Sequence, residues 1–379
     1  MVSKTERCFG CTACASVCPR DAIQMKADQD GFLYPEVQKD ICVGCDLCDQ
    51  VCPLNKEAHA AFMPRAYAVQ HNSPEVLQES ASGGMYTALS DAILAEGGVV
   101  YGAAFDQDLC IVHIRAETKQ ERDRCRGSKY VQSNLADVFR WVRKDLKAGR
   151  KVLFTGTPCQ VDGLKAFLRT ENDNLFLCDL ICNGVTSPMI WKEHLKKLEK
   201  VNHSKVVQYK FRPKDWGWTV HNEKAVLKNG KTRHSDAYSA LYRELYYSRL
   251  IHRPSCYQCK YTNLNRVSDI TIADCRGIEH RETTFDFESG VSLVLVNTAK
   301  GTELFSRIQK DVCAEELDIQ EFMQPPLTAP AKKAKSRERF WREFHSKGYW
   351  AAVKAVYGKH YVAKFTVKKF LKKCGILPQ

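Results

Sequence analysis

The chain has 379 residues and carries 57 lysines and arginines, 44 aspartates and glutamates, and 18 cysteines. Its length allows two or three domains, and its hydrophobic content of 44% excludes a chain that is disordered throughout. No apolar run reaches the roughly 18 residues of a membrane span, and the polar start from Met1 to Arg7 contains no signal-peptide core. We therefore expect a cytoplasmic protein whose cysteines bind metal, since a chain of this length does not need disulfides to be stable.

The first eight cysteines form a repeat. Each half has the spacing Cys-x2-Cys-x2-Cys-x3-Cys-Pro, first at Cys8, Cys11, Cys14 and Cys18 and then at Cys42, Cys45, Cys48 and Cys52. This is the bacterial ferredoxin pattern for two 4Fe–4S clusters, in which the fourth cysteine of each half binds the other cluster. The pattern predicts one cluster, called the first set below, at Cys8, Cys11, Cys14 and Cys52. It predicts the other cluster, the second set, at Cys42, Cys45, Cys48 and Cys18.

A pair of zinc sites is the alternative for these eight cysteines. Zinc usually takes four ligands per site in CxxC pairs, whereas both halves match the ferredoxin pattern completely. Gly10 and Gly44 occupy matching positions in the two halves, where a missing Cβ allows a positive φ and a close approach to a cluster. Both observations favour iron–sulfur clusters.

Beyond Ala66 the sequence alternates between apolar runs and helical patterns, which favours an α/β domain with a mixed sheet. Strands are predicted at 99–101, 151–155, 175–181, 206–211, 269–273 and 291–297. Helices are predicted over 133–146 with Ser133 as a cap, from Pro158, over 187–200, and after Gly301. The expected division is a ferredoxin domain over 1–62, a reductase domain over 63–328 and a basic helical tail over 329–379.

Four more cysteines stand where α/β folds build their sites. Cys159 follows a predicted strand and turn, Cys182 follows the strand at 175–181, and Cys256 and Cys259 form a lone CxxC. Together they suit one more cluster, but structural zinc or redox-active cysteines explain them equally well. A nucleophilic role for Cys159 at a helix start is disfavoured, because no partner histidine is evident.

Several segments resemble the coenzyme F420 hydrogenase/dehydrogenase beta-subunit family. They are Ser82–Gly84, Arg126–Ser133, Phe154–Gln160, Asp179–Gly184, Arg253–Cys259 and Ser268–Asp274, and the resemblance extends over about residues 1–310. It implies FAD, electron transfer between a one-electron carrier and a two-electron acceptor, and a third 4Fe–4S cluster at Cys159, Cys182, Cys256 and Cys259. The sequence departs from the family at Asn183, at Cys275-Arg276 and at Cys125, so deazaflavin is not assigned as the substrate.

The resemblance also indicates the residues around the flavin: Ser82, Gly83, Gly84, Gly127, Ser128, Lys129, Tyr130, Gly156, Thr157 and Pro158. Taken alone, Gly83-Gly84 suits either a phosphate at a helix N-terminus or an ordinary helix start. Taken alone, Lys129 is expected to pair with a flavin phosphate, to stabilise negative charge on the reduced flavin ring, or to lie solvated at the surface. No residue is singled out as catalytic.

The tail carries nearly all of the net charge. Residues 332–379 contain 14 basic and two acidic residues, whereas the first 331 residues contain 43 basic and 42 acidic ones. Apolar residues recur every four positions in the tail at Tyr349, Val353, Tyr357, Tyr361 and Phe365. This spacing predicts an amphipathic basic helix with a break at Gly358. Packing on the protein's own surface, peripheral membrane contact and docking of an acidic carrier remain open, and nucleic acid is not expected.

The expected protein is an iron–sulfur flavoprotein oxidoreductase with three 4Fe–4S clusters and FAD, served by a ferredoxin-like carrier or a redox partner subunit. Two alternatives stay open. In the first alternative, the chain is a non-catalytic electron-transfer subunit of a larger complex. In the second, it reduces a metabolite or sugar precursor instead of deazaflavin.

Overall fold

The structure is a computed structural model that describes residues 5–56, 63–374 and 376. Its N-terminal part folds around the cysteine repeat as two short helices and a hairpin: α1 (Ala13–Val17), β1 (Ile23–Ala27), β2 (Leu33–Val37) and α2 (Leu47–Gln50). Each helix lies within one half of the repeat and contains its third cysteine. The matching residues before them, Thr12 and Asp46, both adopt the left-handed conformation, with φ of 65° and 56°. The internal repeat of the sequence is therefore also a repeat of backbone conformation.

The remaining strands build two sheets. They are β3 (Arg65–His71), β4 (Val99–Phe105), β5 (Ile111–Ala116), β6 (Val152–Gly156), β7 (Leu175–Leu180), β8 (Val206–Lys210), β9 (Lys224–Leu227), β10 (Thr232–His234), β11 (Ile270–Asp274), β12 (Ser292–Val296) and β13 (Val312–Leu317). Eight of them form one sheet in the order β13-β3-β12-β11-β7-β6-β4-β5, and β8, β9 and β10 form a small antiparallel sheet. The predicted α/β fold with a mixed sheet is confirmed.

The centre of the large sheet is parallel. β4, β6, β7 and β11 run in one direction, and the outer strands pair antiparallel to them or to each other. Because the carboxyl ends of parallel strands meet at one edge, the loops after β6, β7 and β11 lie side by side.

The division into domains at 1–62, 63–328 and 329–379 stays a prediction, and the first boundary, at residue 62, lies outside the described residues.

The helices between the N-terminal part and the tail pack around the two sheets. They are α3 (Pro74–Glu79), α4 (Met85–Ala95), α5 (Lys119–Asp123), α6 (Val138–Lys147), α7 (Pro158–Leu168), α8 (Pro188–Asn202), α9 (Leu241–Tyr247) and α10 (Ala299–Ile308). α7 begins at Pro158 as predicted, and Ser187 caps α8. The prediction that Ser133 caps a helix is wrong, because Ser133 accepts a hydrogen bond from Gln160 and α6 begins at Val138. The helix expected after Gly301 begins two residues earlier, because Thr298 caps it.

The tail forms three helices, α11 (Arg337–Lys347), α12 (Tyr349–Tyr357) and α13 (Tyr361–Lys373), and the predicted break at Gly358 is present with φ of +94°. Tyr349, Val353 and Tyr361 are buried in one core cluster together with Trp191 and Tyr242 of the body. The apolar stripe of the tail therefore packs on the protein's own surface. None of the described helices is long and apolar enough to cross a membrane.

Candidate functional site

The thiols of the second set border one small cavity. Cys18, Cys42, Cys45 and Cys48 all line it. The backbone amide of Ala22 donates to the sulfur of Cys18 at 3.3 Å, and contacts of this kind stabilise a thiolate. Cys45 is exposed, so this set lies at the surface of the molecule.

The thiols of the first set lie close enough to affect one another's ionisation. Burial raises the pKa of Cys14 to about 12, and the charges of Cys8 and Cys52 act in the same direction. Burial and the charges of Cys14 and Cys8 also raise the pKa of Cys11. Four thiolates in one place repel one another, so they require a positively charged body between them to remain ionised. Iron ions supply such charge.

The four remaining predicted ligands, called the third set, also come together. Cys159 is the second residue of α7, Cys182 follows β7, and Cys256 and Cys259 lie in and after the 3₁₀ turn Pro254–Gln258. All four line one cavity of about 350 Å³, called the cluster cavity below. Burial raises the pKa of Cys159 to about 12 and that of Cys256 to about 11. Three distant segments of the sequence thus converge on one group of thiols.

Gly184 shapes the loop after Cys182. Its φ is +106°, and a Cβ at this position would lie 2.3 Å from Cδ2 of His252. The Gly184 amide donates to the Cys182 sulfur at 3.3 Å. A larger residue here would displace both the loop and the histidine, which accounts for the glycine.

The three sets of thiols are neighbours. The charge of Cys48 in the second set contributes to the raised pKa of Cys14 in the first set, and the charge of Cys159 in the third set contributes to that of Cys11. A Cβ on Gly163 of α7 would lie only 2.9 Å from the sulfur of Cys11, so this helix packs directly against the first set. The sets therefore follow one another from the exposed Cys45 into the body of the protein.

A second cavity, of about 320 Å³, lies at the carboxyl edge of the sheet and is called the flavin-side cavity below. Eight of the ten residues predicted around the flavin line it: Ser82, Gly84, Gly127, Ser128, Lys129, Tyr130, Gly156 and Thr157. Gly83 and Pro158 do not. Gly83 packs against the sheet, where a Cβ would lie 2.3 Å from the carbonyl oxygen of Val69, and Pro158 lines the cluster cavity. Cys159 and Cys182 border both cavities.

Comparison with protein families agrees with this arrangement. Residues 149–321 match the family model for the C terminus of the coenzyme F420 hydrogenase/dehydrogenase beta subunit, and residues 7–56 match a 4Fe–4S dicluster domain. The beta-subunit match spans 173 of the 379 residues, so this part of the chain is similar to the C terminus of the coenzyme F420 hydrogenase/dehydrogenase beta subunit. The N-terminal part is therefore an iron–sulfur module, and the family is one of oxidoreductases.

Individual proteins give weaker similarity. A chain of the F420-reducing nickel–iron hydrogenase complex from Methanosarcina barkeri is 18% identical, with a TM-score of 0.47, over 79% of this chain and 94% of that chain. No curated protein gives a match.

The cysteine arrangement fits clusters better than single ions. Within residues 5–56, 63–374 and 376, no group of three His, Cys, Asp or Glu side chains is placed to hold one metal ion. The cysteines of the second and third sets instead line the walls of cavities. A 4Fe–4S cluster spreads its four thiolates around a body of iron and sulfide, whereas zinc draws four ligands onto one point.

Lys129 has a structural role in addition to its place in the cavity wall. Its ammonium group donates to the backbone carbonyls of Arg124, Arg126 and Gly127 at 3.2, 2.8 and 3.3 Å. Burial lowers its pKa to about 8. Lys129 thus fixes the glycine-rich loop that faces the flavin-side cavity, which differs from the solvated lysine considered from the sequence.

The flavin-side cavity contains side chains that sequence reasoning missed. Arg212, His221, Tyr247 and Gln324 all line it. Arg212 stands just after the predicted strand at 206–211, so its position at a strand end was an available signal, but His221 and Tyr247 carried none. Of the two cysteines at departures from the family, Cys125 lines this cavity, whereas Cys275 is buried in a core cluster.

Proposed function

We propose that the chain is an iron–sulfur flavoprotein oxidoreductase that holds three 4Fe–4S clusters and FAD. It would pass electrons between a one-electron carrier and a two-electron acceptor. The observation that supports this proposal is that Cys159 and Cys182 border both the cluster cavity and the flavin-side cavity. A cluster on the third set would then stand directly beside a cofactor in the second cavity.

The walls of the flavin-side cavity suit FAD. The N-terminus of α4 begins at Gly84 without a side-chain cap, and Ser82, Gly84 and Tyr86 line the cavity there. Unpaired amides at a helix N-terminus and the helix dipole favour a phosphate group. Arg126 and Lys129 add positive charge from the neighbouring glycine-rich loop, where Arg126 donates to Thr87 of α4 at 3.1 Å. A bound FAD supplies the conversion between one-electron and two-electron transfer.

The three sets of thiols support a direction for the electron path. The second set is nearest to solvent because Cys45 is exposed, so an electron carrier or a partner protein would approach there. The first set lies between the second and third sets, and α7 connects Cys159 to the surroundings of Cys11. The carrier side and the acceptor side of the protein would therefore be separate surfaces.

This function is tested by reducing the anaerobically purified chain with methyl viologen radical. We expect the visible absorption of FAD to bleach, and Cys45→Ala, which removes a ligand at the exposed end, to slow bleaching roughly tenfold or more while leaving the FAD content unchanged. Cys313→Ala is the control, because Cys313 is exposed on β13. A chain that binds FAD but is bleached at the same rate in all three forms would contradict the proposed path.

The tail supports a second proposal, peripheral contact with an anionic membrane. On α13, Val367 and Phe370 have 56% and 64% of their surface exposed, although the opposite face of the helix packs on the body. Lys364, Lys368 and Lys369 are exposed on the same helix. Apolar side chains among lysines suit insertion at an anionic lipid surface.

Replacing both apolar residues by serine tests the membrane proposal. We expect Val367→Ser with Phe370→Ser to weaken binding to phosphatidylglycerol vesicles roughly tenfold or more, because two buried apolar side chains contribute about 3 kcal/mol or more when inserted. Vesicle flotation measures the bound fraction. Val207→Ser on β8 is the control, since Val207 is 53% exposed and does not belong to the tail. Equal binding to phosphatidylcholine vesicles would contradict the proposal.

A further inference from the structure

Five side chains form one hydrogen-bonded row in the wall of the flavin-side cavity. Arg212 donates to the carboxylate of Asp274 at 2.5 Å, and Arg276 donates to the same carboxylate at 3.3 Å. Arg276 also contacts Nε2 of His221 at 2.7 Å, and Nδ1 of His221 bonds the hydroxyl of Tyr247. All five side chains line the cavity. The row joins β11, the loop before β9 and the end of α9, none of which belongs to the cluster-binding segments.

The directions of these hydrogen bonds are determined by arginine. A guanidinium group only donates, so Nε2 of His221 accepts from Arg276 and the proton of the imidazole stands on Nδ1. Burial and the charges of Arg212 and Arg276 lower the pKa of His221 to about 4, which keeps the ring neutral. His221 therefore adds no positive charge, but it orients Arg276 toward the cavity wall.

The cavity wall has an excess of positive charge. Among the described residues that line it, Arg126, Lys129, Arg212 and Arg276 are cationic and Asp274 is the one carboxylate. Asp274 is shared between two arginines, so the row itself has a net charge of about +1. The side chain of Arg212 is only 8% exposed and lines the cavity. Guanidinium groups in a cavity wall with net positive charge are placed to bind a ligand anion, because arginine pairs readily with carboxylate and phosphate oxygens.

We propose that Arg212 and Arg276 bind an anionic group, a carboxylate, sulfonate or phosphate, on the two-electron acceptor. The inference rests on the proposed function, because it assigns the flavin-side cavity to an acceptor as well as to FAD. Arg126 donates to Thr87 of α4, whereas Arg276 bonds Asp274 and His221, so the phosphates of FAD would use the side of the cavity at α4 and the acceptor the side at Arg276. Arg276 is 48% exposed, which places it where an acceptor enters.

Binding of two matched aromatic probes to the oxidised holoprotein tests this inference. The probes are naphthalene-2-sulfonate, which is anionic, and naphthalene-2-carboxamide, which is neutral, and quenching of tryptophan fluorescence gives their dissociation constants. Trp218 contacts Asp274 at 3.4 Å, so a fluorophore lies next to the row. We expect the wild-type chain to bind the sulfonate roughly tenfold or more tightly than the carboxamide.

Arg276→Gln should remove the preference for the sulfonate and keep the dissociation constant of the carboxamide within about twofold of the wild-type value. Arg276→Lys should keep part of the preference, because lysine supplies a point charge. Arg281→Gln is the control, because Arg281 is a similarly exposed arginine paired with Glu321 outside the cavity. Equal weakening of both probes, or no preference in the wild type, overturns the inference. FAD and iron content are measured on the same samples. A chain that lacks FAD but keeps the sulfonate preference would contradict the proposed function and leave the anion site supported.

Discussion

Replacing Cys159 with alanine should remove about four of about 12 iron atoms per chain and abolish bleaching of FAD by methyl viologen radical. Cys159 is placed to hold the third cluster, and it borders both cavities. Three remaining thiols hold a 4Fe–4S cluster poorly, and without it the electrons have no carrier between the first set and the flavin. Iron analysis, electron paramagnetic resonance of the reduced chain and the bleaching rate measure the three effects.

Cys178→Ala is the matched control for this experiment. Cys178 is buried in β7, four residues before Cys182, but it lines neither cavity. Its removal should leave iron content and bleaching unchanged and cost about 1 kcal/mol of stability. An iron content that stays near 12 in Cys159→Ala would contradict a third cluster at these residues. FAD retention in the variant would separate loss of the cluster from general unfolding.

Replacing Arg253 with methionine should destabilise the protein by about 3–5 kcal/mol. The guanidinium of Arg253 is buried and donates to the carbonyls of Cys8 and Leu33 at 2.8 and 2.9 Å and to Gln132 at 2.9 Å. It also stacks 4.3 Å from the ring centre of Tyr34. Methionine fills the space but leaves these acceptors buried and unpaired. Chemical denaturation of the anaerobic holoprotein gives the loss in the free energy of unfolding.

Arg140→Met provides the comparison. Arg140 also joins the N-terminal part to the body, through the carbonyls of Ala15 and Ser16 at 3.1 Å, but its side chain is 33% exposed. Water replaces the lost hydrogen bonds there, so we expect a loss of about 1 kcal/mol. Equal losses in the two variants would show that the burial of Arg253 is not what anchors the N-terminal part.

The residues with fixed spacing were predictable from the sequence. The ferredoxin repeat predicts eight thiols in two sets because its spacing is set by the geometry of the cluster, and the structure places Cys18 beside Cys42, Cys45 and Cys48. The strands at 151–155 and 175–181 were predictable because the first is rich in β-forming residues and the second is mostly apolar, and they become β6 and β7 in the parallel centre. Cys159 and Cys182 then meet because parallel strands end at one edge.

Other features depend on long-range packing and gave no local signal. In the sequence, the segment that contains Arg253 is informative only through Cys256 and Cys259. The tertiary structure is needed to show that Arg253 donates a hydrogen bond to the carbonyl of Cys8, 245 positions earlier in the chain. His221 has no motif around it and joins the site through β9 and the loop before it. The tail shows the opposite case. Its periodicity predicted an apolar face correctly, but the three-dimensional structure was needed to show that this face covers the body.

The content of iron and flavin in the anaerobically purified chain tests the central claim most directly. Three 4Fe–4S clusters predict about 12 iron atoms and about 12 acid-labile sulfides per chain, together with one releasable FAD. Colorimetric iron and sulfide assays and chromatography of the released cofactor give these numbers on one sample. About four iron atoms and no flavin, or zinc in place of iron at the cysteine repeat, would contradict the account.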